Sequence, residues 1–114
     1  GVPAYGTDVS LSRDGNVVAV TGDRTSTRIA AVYHYDDAQD DWFLRGSEIS
    51  FDYHGITGGR SRLGLSDDGC RVAVGAPRNS ISAAINVAPA LVNLFELGIV
   101  GDDTVWQQMT PAIV

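Results

Sequence analysis

The stretch G64-L-S-D-D-G-C-R-V-A-V-G-A-P77 places two short apolar runs on either side of Asp68-Gly69. An Asp-Gly pair between such runs is a strong short-range hairpin signal, because glycine supplies the positive φ that a tight turn needs. The stretch has a near-copy upstream, S10-L-S-R-D-G-N-V-V-A-V-T-G22. Leu11, Ser12, Asp14, Gly15, Ala19 and Val20 recur as Leu65, Ser66, Asp68, Gly69, Ala73 and Val74, 54 positions later. Repetition inside a chain of 114 residues bears on the fold before any single residue does.

Working outward, Val32 and Tyr35 align with Val92 and Phe95 at an offset of 60, which sets His34 against Leu94. Trp42 and Ile49 align with Trp106 and Ile113 at an offset of 64. The offset grows only between apolar runs. Insertions collect in connections, so the runs are the structural elements.

Each unit holds four candidate strands. The first spans 8–12 and 62–66, the second 17–21 and 71–75, the third 30–35 and 91–95, and the fourth 42–46 and 106–110. The second is a nearly continuous β-branched and alanine run, which predicts a strand covered on both faces. Residues 81–97 are the one stretch with helical length, but Val, Ile, Asn and Pro89 count against a helix, and they read as loop plus strand. Pro111 fits a sheet edge, where its missing N–H leaves no neighbour unpaired.

The expected fold is therefore all-β: two four-stranded antiparallel, propeller-blade-like sheets, from residues 1–50 and 51–114. The alternative is an eight-stranded sandwich or barrel built from a duplicated hairpin pair. Two blades cannot close a ring of about 4–8. The blade reading thus predicts further units beyond this stretch, or self-association through its open faces.

Composition narrows the functional classes. The net charge is −6, and every one of the eight cations is an arginine. That acidity disfavours nucleic acid, which selects a clustered basic stripe; Arg60 and Arg62 in a glycine-bearing stretch are too few. No apolar run reaches the ~18–20 residues of a membrane span, since Asn86, Pro89, Asn93 and Glu96 interrupt the most apolar region. Cys70 is the single cysteine, so neither an internal disulfide nor a cysteine-based metal site can form. Abundant glycine and acid with no lysine fit an extracellular or surface-exposed chain.

Tyr5-Gly6 at the head of unit one and Gly75-Ala76-Pro77 after strand two of unit two resemble the two halves of an FG-GAP repeat. This is the blade motif of integrin alpha-type propellers. The aromatic strand AVYHY, followed by an acidic loop and Trp42, is similar to the later part of such blades. Each unit keeps half the namesake motif: Thr21-Gly22-Asp23 stands at the GAP position of unit one, and Gly59-Arg60 at the FG position of unit two. The resemblance implies a non-catalytic binding or scaffold module for protein or glycan recognition, as in cell adhesion. Specificity would then lie in the connections 24–28, 51–59 and 78–88.

Calcium-binding members of that family carry a longer Asp-rich loop between the first two strands. Here the connection has shrunk to Ser12-Arg13-Asp14-Gly15 and Ser66-Asp67-Asp68-Gly69. One or two carboxylates do not supply the about six to eight oxygens that calcium takes. Asp14 and Asp68 therefore read as turn residues accepting backbone N–H bonds, and no cofactor is expected.

The remaining cation candidates are Asp36, Asp37, Asp40 and Asp41, in YDDAQDDW. Their spacing lacks the alternating pattern of a calcium loop, and unit two keeps only Asp102 and Asp103, so a solvated hairpin loop is the stronger reading. His34, aligned with an apolar position, reads as a core or interface histidine rather than a base. His54 lies in the connection between units. No nucleophile elbow accompanies any serine, and no glycine pattern cradles phosphate. The repeated Trp42 and Trp106 read as packing. The competing class is a propeller-fold hydrolase or lyase with its active site on other blades. Such a site would call for charged or histidine residues at the first-strand ends, which hold Thr7, Asp8, Ser61 and Arg62.

Overall fold

The computed structural model describes residues 4–24, 27–51, 62–76 and 91–109. They form two antiparallel sheets. The first contains β1 (Ala4–Leu11), β2 (Val17–Arg24), β3 (Thr27–Asp36) and β4 (Asp41–Leu44) in chain order, with β5 (Ile49–Phe51) also paired to β3. The second contains β6 (Arg62–Leu65), β7 (Arg71–Ala76), β8 (Leu91–Val100) and β9 (Asp103–Gln108), again in chain order. The fold is all-β, and among the described residues no strand pairing joins the sheets into a barrel.

The two turns that reveal the repeat are wired alike. Ser12 Oγ donates to Asp14 Oδ1 at 2.9 Å and accepts the Val17 N–H at 3.0 Å; Asp14 Oδ1 also accepts the Asn16 N–H at 2.9 Å. In the second turn Ser66 Oγ donates to Asp68 Oδ1 at 2.7 Å and accepts the Arg71 N–H at 3.0 Å, while Asp68 Oδ1 takes the Cys70 N–H at 3.0 Å. Gly15 (φ 78°) and Gly69 (φ 73°) supply the left-handed step. The serine caps the strand that follows, and the aspartate fixes the serine.

Three expectations need correction. The first concerns register between units. Val17 pairs with His34 and Arg71 with Glu96, so the hairpin offset of 54 makes His34 the counterpart of Glu96 and Tyr33 the counterpart of Phe95. The offset on this strand is thus 62, not 60. A slip of two residues preserves the face of every side chain, so apolar alternation alone could not detect it. The offset of 64 on the next strand holds, because Tyr35 pairs with Trp42 as Leu97 pairs with Trp106.

The second concerns the edge of the first sheet, which has five strands rather than four. The expected strand 42–46 stops at Leu44, and β5 resumes against the far half of β3, pairing Ile49 with Ala30. The break is made at Gly46, where φ is 76° and a Cβ would lie 2.9 Å from both Leu97 Cδ1 and Trp106 Nε1. Backbone from one sheet approaches a tryptophan from the other, and only glycine leaves the room.

The third concerns which strand is covered on both faces. That strand is β3, whose Ile29, Ala30, Ala31 and Val32 are all fully buried; Val18 and Val20 of β2 are only half-buried. The second half of residues 81–97 is strand β8, and its first half lies outside the described residues.

One core joins the sheets. Val17, Ala19, Ala30, Val32 and Ile49 of the first pack with Val72, Val74, Phe95 and Trp106 of the second, and Leu63, Leu65 and Leu97 border them. Alternation along a strand makes the geometry of this contact readable. Val17 and Ala19 are buried, whereas their counterparts Arg71 and Ala73 are exposed and half-buried. Val72 and Val74 are buried, whereas their counterparts Val18 and Val20 are not. The two units therefore meet through opposite faces of the same repeat.

Candidate functional site

Among the described residues, the seam between the sheets is the most specifically built region. Along the first strands, Asp8 Oδ2 accepts the Leu63 N–H at 2.8 Å, and Ser10 Oγ accepts the Leu65 N–H at 3.3 Å. At the turns, the Arg13 N–H donates to the Asp67 carbonyl at 3.1 Å. At the far edge, Trp106 Nε1 donates to the Arg45 carbonyl at 2.8 Å, and its backbone N–H donates to Ser47 Oγ at 3.2 Å. Arg45 also reaches Cys70 Sγ at 3.5 Å. An aspartate and a serine two residues apart on β1 thus occupy donors on the edge of β6. Capping such N–H groups removes the unpaired row that makes an edge strand prone to pairing elsewhere.

Asp8 was expected at a channel-facing strand end. It is instead shared between the two units, since its other oxygen, Oδ1, accepts the Val9 N–H at 3.0 Å. Arg62, its counterpart, is exposed. Thr7 lies at the register shift between Tyr5 and Asp8 on β1, and Ser61 lies outside the described residues.

The acidic group at the β3–β4 hairpin is spread along the turn. Asp36 Oδ1 accepts the Ala38 N–H at 2.9 Å, and Asp41 Oδ1 accepts the Trp42 N–H at 2.8 Å. Asp40, at φ 51°, accepts the Tyr35 hydroxyl, and this bond holds the Tyr35 phenol above its ordinary pKa. Asp37 is exposed within the same turn. Three of the four carboxylates thus take local turn or strand bonds, as turn aspartates do. Among the described residues no three His, Cys, Asp or Glu side chains gather as a metal-ligand set.

His34 is half-buried with its ring 6.2 Å from that of Phe43, and its Nδ1 is buried without a hydrogen-bond partner. His54, Arg60 and the glycines of 55–59 lie outside the described residues, as do 25–26, 52–59 and 78–88 of the connections.

Two partly exposed surfaces flank the seam. The outer face of the β6–β9 sheet holds a shallow groove of about 390 Å³, lined by Gly64, Ser66, Arg71, Ala73, Leu94 and Met109 among others. The Arg71–Glu96 ion pair, 3.6 Å apart, lies on this face. The outer face of the first sheet carries Val9, Leu11, Trp42 and Leu44, all exposed.

Sequence reasoning missed Asp8, Ser10, Arg45 and Ser47 as seam residues. The signal for the first two was present as polar residues on one pleat of an otherwise apolar strand, Val9 and Leu11 being on the other. Arg45 and Ser47 carried no such signal, because their role depends on the break at Gly46. No protein-family profile matches the sequence, and no curated protein or solved structure matches it.

Proposed function

We propose that the chain is a non-catalytic binding module, a pair of blades from an FG-GAP-like propeller array that presents its connections to a protein or glycan at a cell surface. The observation that supports this reading is the contact through opposite faces. Successive blades meet front to back, so equivalent positions alternate between covered and open. A duplicated sandwich with two-fold symmetry would bury the same face of both units. In a stacked array the strands form a rigid frame, and the loops at the sheet ends are free to vary. The Asp-Gly turns are too short and too fully engaged in their own serines and backbone to serve as calcium loops.

The test replaces 25–26, 52–59 and 78–88, the parts of these connections outside the strands β2, β3 and β5, in turn with Gly/Ser segments of equal length. Each variant is assayed for binding to arrayed glycans and to intact cells, with circular dichroism as the control for folding. Binding lost in at least one folded variant is the expected result. Binding indifferent to all three replacements overturns the reading, and turnover of an arrayed glycan replaces it with the hydrolase or lyase alternative.

A further inference from the structure

We propose that the outer face of the first sheet docks a further sheet of the same repeat, and that this occupant presents a carboxylate and a hydroxyl in the places of Asp8 and Ser10. The inference rests on the array reading above and specifies its partner.

The chain supplies the comparison. Cross-strand pairing aligns Leu11, Val18, Tyr33 and Leu44 in one row of the first sheet. The corresponding row of the second is Leu65, Val72, Phe95 and Gln108. Leu65, Val72 and Phe95 face the seam and are covered by the first sheet, as is Trp106. Their counterparts are less covered: Leu11 is 60% exposed, Val9 beside it 61%, and Trp42 is 42% exposed where Trp106 is 8%, while Val18 and Tyr33 are half-buried. A row of aliphatic and aromatic side chains left in solvent marks a contact surface. The exposed part lies along Val9–Leu11 and Trp42–Leu44; Val18 and Tyr33 between them are half-buried, and Ile29 and Ala31 further along β3 are buried.

The covering partner of the second sheet defines what would cover the first. It is a sheet face of small apolar residues, Ala19, Ala30 and Val32, flanked by Asp8 and Ser10, which accept N–H groups from the strand they cover. A second copy of the chain, stacked head to tail, would offer the outer face of β6–β9 instead. That face carries Arg62 for Asp8, Gly64 for Ser10, and Arg71 for Val17. It lacks both acceptors and sets a guanidinium where the seam has a buried valine. A separate unit with the first sheet's inner chemistry fits, and a second copy does not.

The proposal can be tested in trans on the full chain by giving the wrong face the right residues. R62D/G64S/R71V rebuilds the covering chemistry on β6–β9. Arg62 and Arg71 are exposed, and a Cβ on Gly64 would meet nothing within 4 Å, so the fold tolerates all three changes. The expected result is head-to-tail association rising with concentration in sedimentation velocity, with a severalfold drop in acrylamide quenching of Trp42. Adding W42R should abolish the association, while the unaltered chain stays monomeric with Trp42 accessible.

A triple variant that remains monomeric, with Trp42 still accessible, overturns the proposal. So does dimerisation of the unaltered chain that W42R abolishes, since a second copy would then be the occupant. If the triple variant loses cooperative unfolding, R62D/G64S, which keeps the Arg71–Glu96 pair, is read by the same criteria. Stacking and loop binding are measured separately, so stacking retained without any loop binding sinks only the functional reading.

Discussion

Trp42 and Trp106 occupy the same place in their units. Each stands opposite the same position of the preceding strand, Tyr35 in one case and Leu97 in the other. Trp106 lies in the seam, with its indole N–H bonded to a carbonyl of the other sheet. Trp42 meets Tyr35 ring to ring at 5.4 Å in a tilted pair and is 42% exposed. The same residue at the same repeat position thus has two environments, and the difference comes from which face of the unit has a neighbour. Position within a repeat does not fix burial; position within the stack does.

The largest effects should follow this division. Trp106→Ala removes a buried indole and leaves the Arg45 carbonyl without its donor, which should cost about 3–5 kcal/mol. Trp42→Ala loses an exposed aromatic pair and should cost no more than about 0.5–1.5 kcal/mol. Urea midpoints of the two variants measure the contrast. Equal losses would mean that Trp42 is covered in solution and would remove the distinction between the faces.

The turn glycines sharpen the same comparison at closer range. Gly15 and Gly69 share a positive φ, so alanine at either should cost about 1–2 kcal/mol for the left-handed backbone. Gly15 has open space around its missing side chain, whereas a Cβ on Gly69 would lie 2.9 Å from Cβ and Cγ2 of Val17. Crowding that buried valine should add ~1–3 kcal/mol to Gly69→Ala. Chemical denaturation of the pair checks it, and equal costs would place the second turn away from the first sheet.

These contrasts also show why part of the molecule was legible in sequence and part was not. The hairpins were legible because Ser-x-Asp-Gly is a local device: its hydrogen bonds close within six residues and need nothing else folded. Strand content and order followed from the apolar runs on either side. The two-residue misalignment of β3 with β8 was invisible because a slip of two keeps every face. The break at Gly46 was invisible because its cause, Trp106, lies sixty residues away. The seam bonds of Asp8 and Ser10 depend on which face meets which, and a repeat read one unit at a time carries no information on its neighbour.

The smallest expected difference lies in the two turn aspartates. Both carboxyls are held below the usual carboxylate range: Asp14 foremost by the Asn16 N–H and then by the Ser12 hydroxyl, Asp68 foremost by the Ser66 hydroxyl and then by the Cys70 N–H. A carboxyl whose folded value is lowered contributes stability that is present above its unfolded value and lost as pH falls through the folded one. Ser66→Ala deletes the main cause of the shift at Asp68, so that carboxyl should rise toward its ordinary value. Its share of the acid-side loss of stability should flatten accordingly. Ser12→Ala deletes only the second cause at Asp14, and the Asn16 N–H should keep that carboxyl low. Carbon-detected NMR titration of both side chains in both variants reads the difference directly. A larger rise at Asp14 than at Asp68 would show that the shared Ser-x-Asp-Gly wiring hides a different balance of forces in the two units.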